Sequence, residues 1–140
     1  YAKELKLRKI GFAACVSMVS ELDLLVRLFT KERFKVYTVG CQIGGADATE
    51  RGVPEVQGYS ASTCHTIAQA EILNKEKTEL NFIIGLCMGH DILFSQYSQA
   101  PVSTLIVKDR VTGHNPAAAL YGWHRRKHLF GFTISDTDIV

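Results

Sequence analysis

The chain has 140 residues, of which 46% are hydrophobic, and carries a formal charge of +2 at pH 7. A chain of this length makes one domain that buries roughly two-thirds of its unfolded surface, and so small a charge excludes the basic face of a nucleic-acid binder. No apolar run approaches the ~20 residues of a membrane span and no signal peptide opens the chain, which points to a cytoplasmic protein whose partner is a metal, a small ligand or another protein.

The four cysteines read as reduced thiols, because a disulfide framework belongs to small secreted chains that lack a core of their own. Residues 1–140 then form a single α/β domain, and the start at Tyr1 rather than at methionine points to a segment upstream. Nothing in the sequence sets the oligomeric state.

Residues 7–15 (LRKIGFAAC) begin basic and turn apolar, as a buried parallel strand does, and end in Cys15. Ser17 or Ser20 can cap the helix after it. Over residues 18–33, Met18, Leu22, Leu25 and Phe29, with Val19 and Val26 beside them, recur at helical spacing and predict one amphipathic helix. Residues 34–40 (FKVYTVG) alternate and are rich in β-branched and aromatic types, a second strand, and Cys41 comes next. Residues 42–63 are irregular and glycine-rich, with the length of a functional loop. Thr63 can cap a helix over residues 64–74, which opens on Cys64 and has a modest apolar face of Ile67, Ala70, Ile72 and Leu73.

In residues 81–91 (NFIIGLCMGHD), Phe82, Ile83, Ile84 and Leu86 read as a buried strand, residues 87–89 as a tight turn, and Asp91 as the cap of a short helix reaching Tyr97. Pro101 introduces a fourth strand over residues 102–108, which ends in Lys108, Asp109 and Arg110. Asn115 before Pro116 is a helix start by residue type, and that helix runs to about His124. Residues 129–134 offer a fifth, edge strand.

Strands alternating with helices predict parallel βαβ units in a three-layer α/β/α sandwich, a flavodoxin- or Rossmann-like sheet of four to five strands in the order 2-1-3-4. In that order Cys15 and Cys87 flank the crevice at the carboxyl edge, where open α/β sheets bind ligands, with Cys41 on the adjacent strand and Cys64 entering from a helix start. Any one of these cysteines also fits core filling. Together, at strand ends and a helix start, the four suit a tetrahedral zinc site or an iron-sulfur cluster, whose thiolates helix N-termini stabilise. There is no Cys-x-x-Cys pair, so every ligand comes from a different element.

Residues 85–90 (GLCMGH) also have the layout of a nucleophile elbow, a sharp strand-to-helix turn that projects a reactive side chain. The stretch resembles the Gly-x-Cys-x-Gly-His turn of class I glutamine amidotransferases, which have a flavodoxin-like core. The resemblance implies a transferase or hydrolase with Cys87 as nucleophile and His114 or His90 as base. The His-Pro-Glu segment of those enzymes is absent here.

A longer resemblance covers nearly the whole chain. Residues 64–74 (CHTIAQAEILN), 85–91 (GLCMGHD) and 100–116 (APVSTLIVKDRVTGHNP), with GFAAC at 11–15 and the Val-x-Cys-x-x-Gly stretch at 39–44, closely resemble a bacterial and archaeal family of unknown function described as predicted metal-binding proteins. The resemblance implies Cys15, Cys41, Cys64 and Cys87 as metal ligands. Two departures stand out: that family has Cys-Asn-Pro-Ile where this chain has Cys64, His65, Thr66 and Ile67, and it carries a cysteine-rich N-terminal segment absent here.

His90 and His114 each sit after a glycine just past a strand end and divide between supporting the ligands and direct ligation or proton transfer. His65 adjoins Cys64 but points elsewhere on its helix. His124 and His128 have the spacing of a metal pair, yet Arg125, Arg126 and Lys127 between them describe a solvated basic helix end. Lys108, Asp109 and Arg110 suit an anion or the orientation of His114, with an internal Asp–Arg pair at a strand end as the plain alternative. The sequence thus predicts a zinc or iron-sulfur protein in which Cys15, Cys41, Cys64 and Cys87 ligate while His90, Asp109 and His114 support them. The cysteine-nucleophile enzyme is the alternative, and a small-ligand fold whose cysteines only pack is the third possibility.

Overall fold

Alternating apolar runs and amphipathic helices give the chain four parallel strands in the order β2-β1-β3-β4 in the computed structural model, which describes residues 1–45, 47, 49, 52, 54, 62–122, 128 and 131. The strands are β1 (Lys9–Ala14), β2 (Lys35–Gly40), β3 (Leu80–Ile84) and β4 (Val102–Ile106), and the helices are α1 (Val19–Lys31), α2 (Thr66–Lys75), α3 (His90–Tyr97) and α4 (Pro116–Tyr121). The α/β class and the strand order are those the sequence predicts. The expected fifth strand over residues 129–134 and the expected reach of the last helix to His124 lie outside the described residues; α4 itself ends at Tyr121.

The pleat assigns the core to two faces. Phe12 of β1 and Phe82 of β3 pair in register and meet Phe29 of α1, with ring centroids 5.2 to 5.8 Å apart. The neighbouring positions Gly11 and Asn81 turn the other way, where a Cβ on Gly11 would stand 2.9 Å from Leu73 of α2. The two helices therefore cover opposite faces, as right-handed crossovers from a central β1 require. Ile10, Phe12, Leu73, Ile83, Ile84 and Phe94 are all but fully buried. Each contributes about 1.5–3 kcal/mol of apolar burial.

Helix entries differ from the expected caps. Neither Ser17 nor Ser20 caps α1; a 3₁₀ turn over Val16–Met18 intervenes, Met18 stands at the N-cap, and Val19 is exposed. The N-cap of α2 is His65 rather than Thr63. Gly89, at φ 89°, starts α3 because only glycine takes that conformation without strain. Asp91 lies inside the first turn, where its carboxylate accepts from the Gly89 and Ile92 amides at 3.0 and 2.8 Å. Asn115 does cap α4, its side chain accepting from the Ala118 amide with Pro116 just inside the helix. β4 stops at Ile106, two residues before the predicted end, after a register shift between Ile83 and Ile84 on its partner strand.

Candidate thiol site at the carboxyl edge

The register of the sheet carries the cysteines to one rim. Ala14 pairs with Gly40 as the last rung of the β1–β2 ladder, so Cys15 and Cys41 are the next residues on adjacent strands, which run about 4.8 Å apart. The amide of Cys15 still donates to Ile84 of β3 at 3.0 Å, three residues before Cys87. Gly85 then donates to Ile106 at 2.8 Å, two residues before Lys108. From the α2 side, the amide of His65 donates to the Cys41 carbonyl at 2.6 Å and brings Cys64 beside it.

Gly85 makes the turn possible in two ways. Its φ is 61°, and a Cβ there would stand 2.7 Å from Met18 Cγ, so glycine is required both by the backbone and by the close approach of the 3₁₀ turn. Cys15 and Cys41 are buried; Cys64 and Cys87 are half-buried. All four are free thiols.

The 3₁₀ turn aims polar hydrogens at sulfur. The Val16 amide bonds Cys41, while Cys15 receives the Ser17 amide and lies 3.2 Å from the Ser17 hydroxyl. Lys108 adds a full charge, its Nζ 2.7 Å from Cys15 Sγ and within electrostatic reach of Cys87. Burial by itself raises the Cys15 pKa, but the bonds from Lys108 and Ser17 outweigh it and bring the thiol down to about 7. Cys41 goes the other way: burial, then the adjacent Cys64 and the Cys15 charge, push it up to about 12 against the single Val16 bond. Burial works against the Lys108 ammonium, yet its contacts with Cys15 and Cys87 prevail and raise its pKa. Cys41 is thus linked to Cys64 and to Cys15, and Cys15 and Cys87 both face Lys108.

Beyond Lys108 the chain closes a tight loop. The Asp109 carboxylate accepts from the Val111 and Thr112 amides and from the Thr112 hydroxyl, which holds its pKa below the usual carboxylate value. The Asp109 amide donates to His114 Nδ1 at 3.1 Å, and the His114 amide returns a bond to the Asp109 carbonyl at 2.6 Å. His114 has φ 62°, an uncommon conformation for a residue with a side chain. With Nδ1 occupied by the Asp109 amide, Nε2 is the ring nitrogen left to meet a partner. His90 is the first residue of α3, and its amide donates to the Cys87 carbonyl at 2.9 Å.

Two features of the rim escape a reading by residue type. Lys108 serves thiols rather than the anion its type suggests, because nothing local places a strand-end lysine on a cysteine 93 positions away. Gln69 is fully buried, its Nε2 donating to the Ala14 and Val39 carbonyls at 3.2 and 2.7 Å. Its spacing with Thr66, Ala70 and Leu73 is the available signal, since these four form the buried face of α2. The Oε1 of Gln69 and the Oγ1 of Thr66 are buried without a hydrogen-bond partner. Such a group costs about 1–3 kcal/mol.

As donors, four thiol sulfurs at one rim, one of them held by Lys108 and the Ser17 hydroxyl, fit zinc or an iron-sulfur cluster by type. As they stand, no three His, Cys, Asp or Glu side chains among the described residues are grouped so as to hold a metal ion. The Lys108 ammonium lies against Cys15 and Cys87, so a shared ion requires side-chain rotation there. Beside Lys108 a cavity of about 310 Å³ opens between β4 and α3, lined by Leu86, Met88, Ile106 and Val107 with Asp91. No helix is long and apolar enough to cross a membrane among the described residues.

Residues 1–105 match a family described as "Protein of unknown function (DUF1847)". The chain is also 43% identical over 130 residues to the uncharacterized protein MJ0455 of Methanocaldococcus jannaschii, a match that spans 92% of this chain and 67% of that protein. No solved structure matches the chain.

Proposed function

The chain belongs to the DUF1847 family, whose description assigns no activity, and we propose that its rim is a thiol site for a transition-metal ion or cluster held by Cys15, Cys41, Cys64 and Cys87. One observation carries this reading: the sheet register and the bond from the His65 amide to the Cys41 carbonyl bring four cysteines to one rim, where Lys108 Nζ and the Ser17 hydroxyl stand 2.7 and 3.2 Å from the Cys15 sulfur. Cysteines that merely fill a core need no such donors, whereas thiolate ligands do. A bound zinc ion would supply a structural or Lewis-acid centre, and an iron-sulfur cluster electron transfer. Lys108 compensates part of the negative charge that the sulfurs bring together. His90 and the Asp109–His114 loop support the rim from outside, the His114 ring being held by the Asp109 amide. The cavity lined in part by Lys108 leaves room for a small ligand beside that residue.

Anaerobic purification with elemental analysis and an absorption spectrum tests the reading. We expect bound zinc or iron in proportion to protein, lost when the cysteines are replaced by serine. Four titratable thiols with neither metal overturn it.

A second reading has its own observation. The 2.7 Å contact between Lys108 and Cys15 is the arrangement that holds a nucleophilic thiolate, and it favours Cys15 over Cys87 as the reactive group of a transferase or hydrolase. A dilute alkylating agent that labels Cys15 far ahead of the other three would support it. Uniform slow labelling would count against it.

A further inference from the structure

We propose that Gln69 is a positioning residue for the thiol site, a single side chain that ties together the three elements carrying Cys15, Cys41 and Cys64. This deepens the reading of the rim as a shared thiol site and rests on it. Ladder hydrogen bonding between β1 and β2 ends at the Ala14 and Gly40 rung, immediately before the two cysteines. At these last paired residues Gln69 adds a tie from outside the sheet. Its Nε2 donates to Ala14, the residue before Cys15, and to Val39, two before Cys41. Its own helix, α2, begins two residues after Cys64. The bond from the His65 amide to the Cys41 carbonyl closes the same triangle from the other side.

Packing alone does not call for an amide at this place. Gln69 is fully buried and its Oε1 has no partner, so the side chain carries a desolvation cost that methionine or leucine would avoid. What the amide provides, and an apolar chain of equal length cannot, is two N–H donors from one planar nitrogen. They fix both strand ends relative to α2. The remaining Oε1 and the Thr66 Oγ1, one helical turn nearer the rim, give the interior below the sulfurs a polar lining.

The test is the spacing of the thiols, read in the metal-free, reduced full chain with dibromobimane, which fluoresces once both of its arms have alkylated neighbouring thiols. Wild-type protein is expected to cross-link two of Cys15, Cys41 and Cys64, with the pair identified by peptide mass. Gln69→Met keeps the shape and removes both donors, and Gln69→Glu replaces them with acceptors. Each is expected to slow cross-linking on the order of tenfold or more while single-arm alkylation of Cys64 holds, the sensitivity of a reaction to misplaced groups. Leu73→Ala, which weakens the same helix without touching either strand end, is the control and should cross-link like wild type. Gln69→Ala reads the same if the bulkier variants do not fold. Wild-type cross-linking rates in a Gln69 variant, or a parallel loss in Leu73→Ala, overturn the proposal and leave Gln69 a packing residue. Because no metal enters the assay, a wild-type protein that binds neither zinc nor iron would sink the metal reading and leave this result standing.

Discussion

Lys108 Nζ rests 2.7 Å from Cys15 Sγ, joining the end of β4 to the end of β1 across the intervening β3, and the charge of the same ammonium reaches Cys87 beyond β3. A cation in that position changes what the rim is. Without it, four thiols at an edge are a donor set awaiting deprotonation. With it, one sulfur is already biased toward thiolate, and the charge that a second sulfur adds is partly met.

The first consequence concerns Lys108 itself. Lys108→Met removes the charge and the bond while keeping much of the stem, so the burial that opposes ionisation of Cys15 acts with less to offset it. The Cys15 pKa should rise from about 7 toward its ordinary value of 9.0, the Ser17 contacts still opposing the rise. At neutral pH the thiolate fraction, and with it the alkylation rate, falls by up to about 50-fold. The measurement is a pH-rate profile of iodoacetamide labelling in chelator-treated protein, with Cys15 followed by mass. A profile that Lys108→Met leaves in place would show that the contact does not govern the thiol.

Stability should depend on pH in two opposed ways. The folded pKa of Cys15, about 7, lies below the ordinary 9.0, so its ionisation stabilises the fold above pH 9, and this contribution is lost as pH falls through 7. Cys41 has the opposite sign: its folded pKa of about 12 lies above 9.0, so its stabilisation is complete below pH 9 and is lost as pH rises toward 12. Each window is worth up to roughly 1.4 kcal/mol per pH unit. Urea midpoints of reduced, metal-free protein from pH 6.5 to 11 should therefore peak near pH 9. Cys15→Ser should flatten the rise below the peak, and Cys41→Ser the fall above it.

Hydrophobic period and β-branched runs located all four strands and α1, because those signals come from burial that the local sequence encodes. The strand order 2-1-3-4 is that of the flavodoxin-like fold which alternating strands and helices suggest. Helix entries were less legible: Asp91 has the residue type of a cap, yet it serves from inside the first turn because Gly89 alone accepts the φ the turn demands. Cys15, Cys41, Cys64 and Cys87 could be placed on the rim since each adjoins an element end. What they touch there could not. The Lys108 contact and the Gln69 bridge each join residues remote in sequence, and no period or motif records a pairing made only when the sheet closes.

The turn at Gly85 gives a stability prediction close to the site. Alanine at this position meets a φ of 61° and Met18 Cγ at 2.7 Å. Left-handed backbone costs an alanine about 1–2 kcal/mol, and overpacking adds about 1–3 kcal/mol. Gly85→Ala should lose several kcal/mol in urea unfolding. The double variant with Met18→Ala should recover the steric part only, a non-additivity that separates the two causes. Equal stability of Gly85→Ala and wild type would mean that Met18 yields freely and that the 3₁₀ turn is not braced against β3.

Metal loading should be read on the cysteines one by one. In metal-free protein at pH 8, access and ionisation divide the four: Cys41, buried and with its pKa raised, should label last, and the half-buried Cys64 and Cys87 should be open to reagent. Cys15 should label faster than its burial implies because Lys108 and Ser17 hold it as thiolate. If all four ligate one centre, zinc or a reconstituted cluster will erase this order and protect every sulfur together, including the half-buried pair, since coordination withdraws the lone pair whatever the access. Protection of Cys41 and Cys64 with Cys15 and Cys87 still reactive would assign the metal to one pair alone, with Lys108 left on the other. Time-resolved alkylation with mass detection, before and after chelator, distinguishes these outcomes in a single series.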